Sequence, residues 1–249
     1  MNEKVAVAAL RQVKEVLDKH NMEYWLDSGT LLGAVRDGKL IEWEHDIDLG
    51  IWYKDITKIA SACNELRDRK FRVNFGEDFI RIYISETNED FWIDITMYRL
   101  NNDAIRKWFV PTHHHPKKGV GKRKQRVKLA AQYLMWLLSA PIYFGDPPKS
   151  VPLNLHMTLI NISHILPSWL RKLLTKFVQL VSKKIGWKYV NVEVPRYYFE
   201  NLSTIKFYGM EFKVPPPVEE YLAYRYGKDW RIPKKDYIYY MDDGAIVKD

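Results

Sequence analysis

A chain of 249 residues, 47% hydrophobic and 28% charged, can bury an ample core, which excludes an intrinsically disordered protein. A single cysteine, Cys63, excludes an intramolecular disulfide framework and any cysteine-cluster zinc site, and fits a reducing compartment. The net charge of +8 is spread unevenly along the chain.

Helical spacing of Val5, Leu10, Val13 and Leu17, with charges between them, predicts a helix over 3–20. This stretch lacks a long apolar core, so secretion is not expected and a cytoplasmic location is. A strand over 23–27, a helix over 30–36, a strand over 46–52 and a helix over 55–70 follow. Cys63 falls in the last helix and reads as a small core residue. Strands are expected near 71–75, 79–84 and 91–98, so an α/β start gives way to a mixed sheet. Pro147-Pro148, Pro152 and Pro215-Pro216-Pro217 mark turns rather than domain linkers, because their flanks remain apolar. The chain is therefore expected to form a single domain over 1–249, with its core in 1–100 and 191–249.

Residues 101–190 interrupt that core as a basic, mostly helical insertion. They hold sixteen Lys or Arg against Asp103 and Asp146, a balance of +14, and the remaining chain is net acidic. The segment includes a polybasic loop, 117–128, and an apolar stretch, 129–138, too short and too interrupted to span a bilayer. Farther on, Ser168 is a candidate N-cap for a helix to about 185. Trp169, Leu170, Leu173, Leu174, Phe177, Leu180 and Val181 form one face, and Arg171, Lys172, Lys176, Lys183 and Lys184 lie mostly on the other. Either the apolar face docks on the core while the lysines are solvated, or the helix attaches to an anionic membrane surface. Nucleic acid is disfavoured as a partner, because no recognisable RNA-binding motif organises Trp108, Tyr133 and Trp136. His113, His114 and His115 read as a polar loop, since adjacent histidines rarely converge on one ion.

The chemistry is concentrated earlier. Gly29 and Thr30 follow a strand-like Tyr-Trp-Leu-Asp run and open a helix, whose free N–H groups suit a phosphate. Gly-Thr is also an ordinary helix start. Alternation sends Asp46 and Asp48 to the same side of a strand, where two carboxylates suit a divalent ion. An isolated pair of this kind often just sits on the solvent side of a strand. Here the pair has an apolar frame, Ile47, Leu49 and Ile51, and Asp94 repeats the pattern as one charge within Phe91-Trp-Ile-Asp-Ile-Thr-Met97. A buried lone carboxylate wants a cation or a close partner.

W-L-D-S-G-T-L-L-G-A-V-R followed by W-E-H-D-I-D resembles the signature of the LicD and fukutin-related family, within the DNA polymerase beta-like nucleotidyltransferase superfamily. A second match lies in F-Y-G-M-E-F-K-V-P-P from Phe207 and in E-Y-L-A-Y-R-Y-G-K-D-W-R-I-P from Glu220. The resemblance implies a nucleotidyltransferase-like core and a transferase using Mg²⁺ or Mn²⁺. Its donor would be a CDP-activated phospho-alcohol, phosphocholine or ribitol phosphate among them, and its acceptor a glycan or lipid-linked glycan hydroxyl. It further implies that Asp46 and Asp48 hold the metal, that Asp94 is a third ligand or the base, that Gly29 and Thr30 contact phosphate, and that Arg36 balances its charge. The family commonly has I-P-W-D-D-D-I-D where this chain reads Ile41-Glu-Trp-Glu-His-Asp-Ile-Asp48. His45 is thus an additional ligand, a pH-sensitive neighbour or a hydrogen-bonded surface residue, which bears on metal preference more than on reaction class. Two alternatives stay open: a nucleotidyltransferase that releases pyrophosphate, and a non-catalytic basic adaptor for membrane or nucleic acid. On the family reading the protein works in the cytoplasm, peripheral to the inner membrane surface.

Overall fold

The computed structural model describes residues 2–75, 79–84, 91–101, 104–109 and 190–247, with scattered positions between 162 and 180. The chain divides into two compact units, Met1–Asn74 with Asp78–Lys107 and Asn191–Asp249 in one, and Phe75–Glu77 with Trp108–Val190 in the other. The histidine run 113–115, the polybasic loop 117–128, the apolar stretch 129–138, Ser168, Val181, Lys183 and Lys184 lie outside the described residues.

The first unit opens with α1 (Glu3–Lys19), β1 (Tyr24–Leu26), α2 (Ser28–Arg36), β2 (Asp46–Trp52) and α3 (Ile56–Asp68). Then come β3 (Arg72–Phe75), β4 (Phe79–Tyr83), β5 (Trp92–Asn101), β6 (Ala104–Phe109) and β7 (Val190–Pro195). A hairpin of β8 (Ser203–Phe207) and β9 (Met210–Val214) is followed by α4 (Val218–Tyr226) and a short α5 (Tyr239–Asp242). The sheet runs β3-β4-β5-β2-β1-β9-β8, with β6 added beside β5. It is mixed: β2 runs parallel to β5 and β1 to β9, while β1–β2, β4–β5 and β8–β9 are antiparallel. The α/β expectation holds.

In α1, Ala6, Ala9, Leu10, Val13, Val16 and Leu17 share one buried stripe. Val5 does not join it and is 48% exposed. At 3.6 residues per turn the stripe spans about 120° from Val16 to Leu10, and Val5 sits about 20° beyond its Val16 edge in the first turn, so it stays half-exposed. The helix is tied across to α3 by Arg69 to Glu15 at 3.1 Å and His20 to Glu65 at 3.0 Å. Cys63 is buried in α3.

Alternation divides the sheet into two chemically different faces. One carries Ile47, Leu49 and Ile51 of β2, Ile93 and Ile95 of β5, and Ile80 and Ile82 of β4, all buried. Each such side chain contributes about 1.5–3 kcal/mol by leaving water. The other face is aromatic at one end, where Trp25 packs on Trp52, Tyr98 and Phe199 with ring centroids 5.1–5.3 Å apart. Its other end carries the acids. The β8–β9 hairpin had no strand expectation, although its residues form the second motif. Tyr208 (φ 48°) and Gly209 (φ 73°) give it the two positive φ values a tight two-residue turn needs.

Gly50 is the one small residue the aromatic packing cannot replace. A Cβ there would lie 2.3 Å from the Trp25 ring. Gly50→Ala should therefore destabilise the protein by about 2–3 kcal/mol through overpacking. Urea unfolding measures this, and a midpoint equal to wild type would contradict the packing.

Candidate functional site

Asp46 and Asp48 lie on the same face of β2, and the parallel register sets Asp48 opposite Asp94 and Asp46 opposite Trp92 on β5. Two strands thus bring the three expected acids to one end of one sheet face. Arg81 of β4 lies opposite Asp94 in turn. It closes a fork on that carboxylate, Nε to Oδ1 at 2.8 Å and Nη2 to Oδ2 at 2.7 Å, while Trp92 Nε1 donates to Oδ2 at 3.2 Å. Asp94 Oδ1 accepts one of these bonds and Oδ2 two, so Oδ1 retains acceptor capacity.

The acids crowd each other. Burial, then the charges of Asp94 and Glu44, push the Asp46 carboxyl up to about 7, against the pull of Arg81. Burial likewise raises Glu44. Two carboxylates on one strand, one of them pushed toward protonation by burial and by its acidic neighbours, form a donor set that a hard divalent cation fits, because its charge offsets both. Among the described residues no three acid, histidine or cysteine side chains close around one point, and Asp94 is drawn toward Arg81 instead. The His45 side chain is exposed, and its carbonyl accepts from Trp92 N–H at 3.3 Å, extending the strand pairing.

The start of α2 abuts the pair. A Cβ on Gly29 would lie 3.7 Å from Asp48 Oδ2 and 3.9 Å from Glu44, so the Gly29 backbone faces the carboxylates directly. Thr30 is buried, and its hydroxyl accepts from the Asp48 N–H at 2.7 Å, locking helix to strand. Arg36 is elsewhere. Seven residues of helix carry it about 10 Å along the axis from Gly29, and its guanidinium closes on Asp37 at 2.9 and 2.7 Å.

Behind this site lies a buried ionic network. Asp27 caps α2 by accepting from Ser28 N–H at 2.9 Å, accepts from the Tyr98 hydroxyl at 2.7 Å, and lies 3.6 Å from Arg225 of α4. Its own N–H donates to the Asp48 carbonyl at 3.1 Å. Arg225 also forks on Asp243 at 2.6–2.9 Å and donates to the Tyr221 hydroxyl at 2.7 Å. Burial and the Asp27 charge raise the Tyr98 hydroxyl well above its ordinary range, keeping it a donor. Ser28 takes a φ of 44°, an uncommon conformation for a side-chain-bearing residue, at the step into the site.

Sequence reasoning did not single out Arg81, Trp92 or the Asp27 network. A signal for the first existed: Phe79-Ile-Arg-Ile-Tyr83 carries one charge in an apolar strand, as the Asp94 strand does.

Residues 21–134 match the family model described as LicD/FKTN/FKRP, nucleotidyltransferase domain. Ribitol 5-phosphate transferase FKRP of Homo sapiens is 35% identical over 96 residues, which cover 33% of this chain and 19% of that protein. The chain thus spans about a fifth of that relative's length. Lipopolysaccharide cholinephosphotransferase LicD of Haemophilus influenzae is 22% identical over 249 aligned positions, covering 88% of this chain and 86% of that protein. Among solved structures, the lincosamide antibiotic adenylyltransferase LnuA, lincomycin-bound, covers 86% of this chain and 81% of its own at 13% identity, with a TM-score of 0.38. A score this low carries no functional inference. The matched stretch, a little under half of the chain, holds the Gly29 turn, Asp46, Asp48 and Asp94, so the likeness to the LicD/FKTN/FKRP nucleotidyltransferase domain falls on the residues that form the site.

Proposed function

We propose that the protein transfers a substituted phosphate group, such as phosphocholine or ribitol phosphate, from a CDP-activated donor to a glycan or alditol hydroxyl. The observation that carries this reading is the register placing Asp94 opposite Asp48, two residues from Asp46 and beside the Gly29 backbone. The family-model match over 21–134 and the relatives named above support the transfer of a phosphate-bearing group. In the proposed reaction the acceptor oxygen bonds to the phosphorus of the transferred group, the bond to CMP breaks in line, and CMP leaves with its electron pair. Asp46 and Asp48 would hold Mg²⁺ or Mn²⁺, which when bound neutralises diphosphate charge. The N-terminal turn of α2 orients the donor phosphate through its backbone N–H groups. The acceptor proton passes to a carboxylate, with Asp94 placed either to take it or to complete the metal site. The proposed location is the cytoplasm, at the inner membrane surface, where a lipid-linked glycan presents its hydroxyl. The +14 balance of residues 101–190 supports that location.

Asp46→Asn and Asp48→Asn should each lower turnover about 100-fold or more while leaving the fold intact, since each removes charge stabilisation rather than core packing. Assay of CDP-choline and CDP-ribitol with Mn²⁺ reads this, and wild-type rates in both folded variants would sink the assignment. CMP release is expected, whereas pyrophosphate release would establish nucleotidyl transfer instead. Asp94→Asn should also be inactive. Retained metal affinity in that variant makes Asp94 the base, and lost affinity makes it a ligand.

Gly29→Ala should separate stability from function. Its Cβ meets nothing nearer than 3.7 Å, and Ala in a helix is favoured over Gly by up to about 1 kcal/mol. Thermal stability should hold or rise. Turnover should fall about tenfold or more, because the methyl stands where donor phosphate would approach Asp48. Unchanged turnover would remove Gly29 from the site.

Stability of the metal-free protein should fall as pH rises. Asp46 ionises near 3.8 when unfolded and near 7 when folded, so between these values the folded state holds more protons and each step upward in pH favours unfolding. The loss is complete above about 7, with a magnitude on the order of a few kcal/mol. Asp46→Asn should match wild type near pH 4 and exceed it near pH 8 in thermal melts. Equal melting temperatures at both pH values would refute the crowding of the acids.

A further inference from the structure

The helical positions of the second unit present an apolar edge to solvent. Trp169 (65% exposed), Leu173 (57%), Phe177 (63%) and Leu180 (62%) are spaced four, four and three residues apart. At 100° per residue they share an arc of about 80°. Leu170 and Leu174, on the adjoining edge, are partly covered. Before Pro167, Ile162 and Ile165 are also exposed, at 51% and 81%. Lys176 stands exposed on the same helix as the four.

We infer that this edge inserts into the interface of an anionic phospholipid bilayer, with the basic residues of the segment on the lipid phosphates. Three features select that occupant. Trp, Leu and Phe along one edge of a basic helix suit the boundary between headgroups and acyl chains. The segment's +14 balance complements an anionic leaflet, and the same balance carried by a second copy opposes self-association. Nucleic acid would satisfy the lysines and its bases would stack on Trp169 and Phe177, but it would leave Leu173 and Leu180 between and beside them without an apolar partner. Among the described residues no helix is long and apolar enough to cross a membrane, so the helix lies along the surface. The inference rests on the proposed reaction only for its use, which is to bring the site to a lipid-linked acceptor.

The test is co-sedimentation of the full chain with vesicles, without donor, acceptor or metal, so that its failure is distinct from a failure of the transfer reading. The protein should bind phosphatidylcholine vesicles that contain phosphatidylglycerol, release as salt rises, and ignore pure phosphatidylcholine. Leu173→Glu with Phe177→Glu, both at exposed positions and so compatible with folding, should weaken binding about tenfold or more. Replacing Lys122, Arg123, Lys124 and Arg126 with Gln should flatten the salt dependence. Val5→Glu, an exposed apolar position on α1, should change nothing. Undiminished binding by the double Glu variant overturns the inference, as does failure of the wild type to bind. A wild-type dimer that the double variant dissolves, without vesicle binding, would assign the edge to a second copy. Preference for RNA over vesicles at physiological salt would assign the charge to nucleic acid.

Discussion

The site depends on one buried charge, the Asp27 carboxylate. It is fully removed from solvent, where an unpartnered carboxylate would cost several kcal/mol, so its neighbours must be in place before the N-terminal part of the fold can settle. Apart from the adjacent Ser28, those neighbours come from far along the chain: Tyr98 of β5 and Arg225 of α4, the last held in turn by Asp243. Its backbone N–H meets the carbonyl of Asp48. Breaking such a buried network by removing one partner typically costs about 3–5 kcal/mol. The strained Ser28 and the Gly29 backbone that faces the acids are therefore held by the C-terminal segment. This gives a physical reason for two motifs so distant in sequence to occur together.

Much of this was legible in the sequence, for reasons specific to each element. The β2 strand announced itself because Ile47, Leu49 and Ile51 alternate with Asp46 and Asp48, and alternation fixes both the strand and the side its acids take. Asp94 was visible as a lone charge in an apolar run. Its partner was not, since pairing Arg81 with Asp94 depends on the β4–β5 register, which neither strand encodes alone. Arg36 shows the opposite error of scale: near in sequence to Gly29, it is separated by the length of α2 and neutralised by Asp37. Amphipathicity located the stripe from Trp169 to Leu180 but could not say what it faces. A helix that buries its apolar edge in a core has the same periodicity as one that offers it to a bilayer.

Charge is separated along the chain, and the separation matches the demands of the proposed chemistry. Burial, and then the charges of Asp94 and Glu44, drive Asp46 toward protonation in the protein alone, and the same crowding of acids would repel an anionic diphosphate until a cation intervenes. Arg81 is a cation in contact with that cluster, and its fork on Asp94 does two things at once. It holds Asp94 in place, and it limits the repulsion that Asp46 would otherwise feel. An arginine is suited to this because it stays charged across the working pH range, so the cluster keeps at least one fixed positive charge whatever else binds. The acid cluster is thus poised rather than neutral, with Asp94 committed to Arg81 and Asp46 held toward protonation by burial and by Asp94 and Glu44, a cost that a divalent ion would lower.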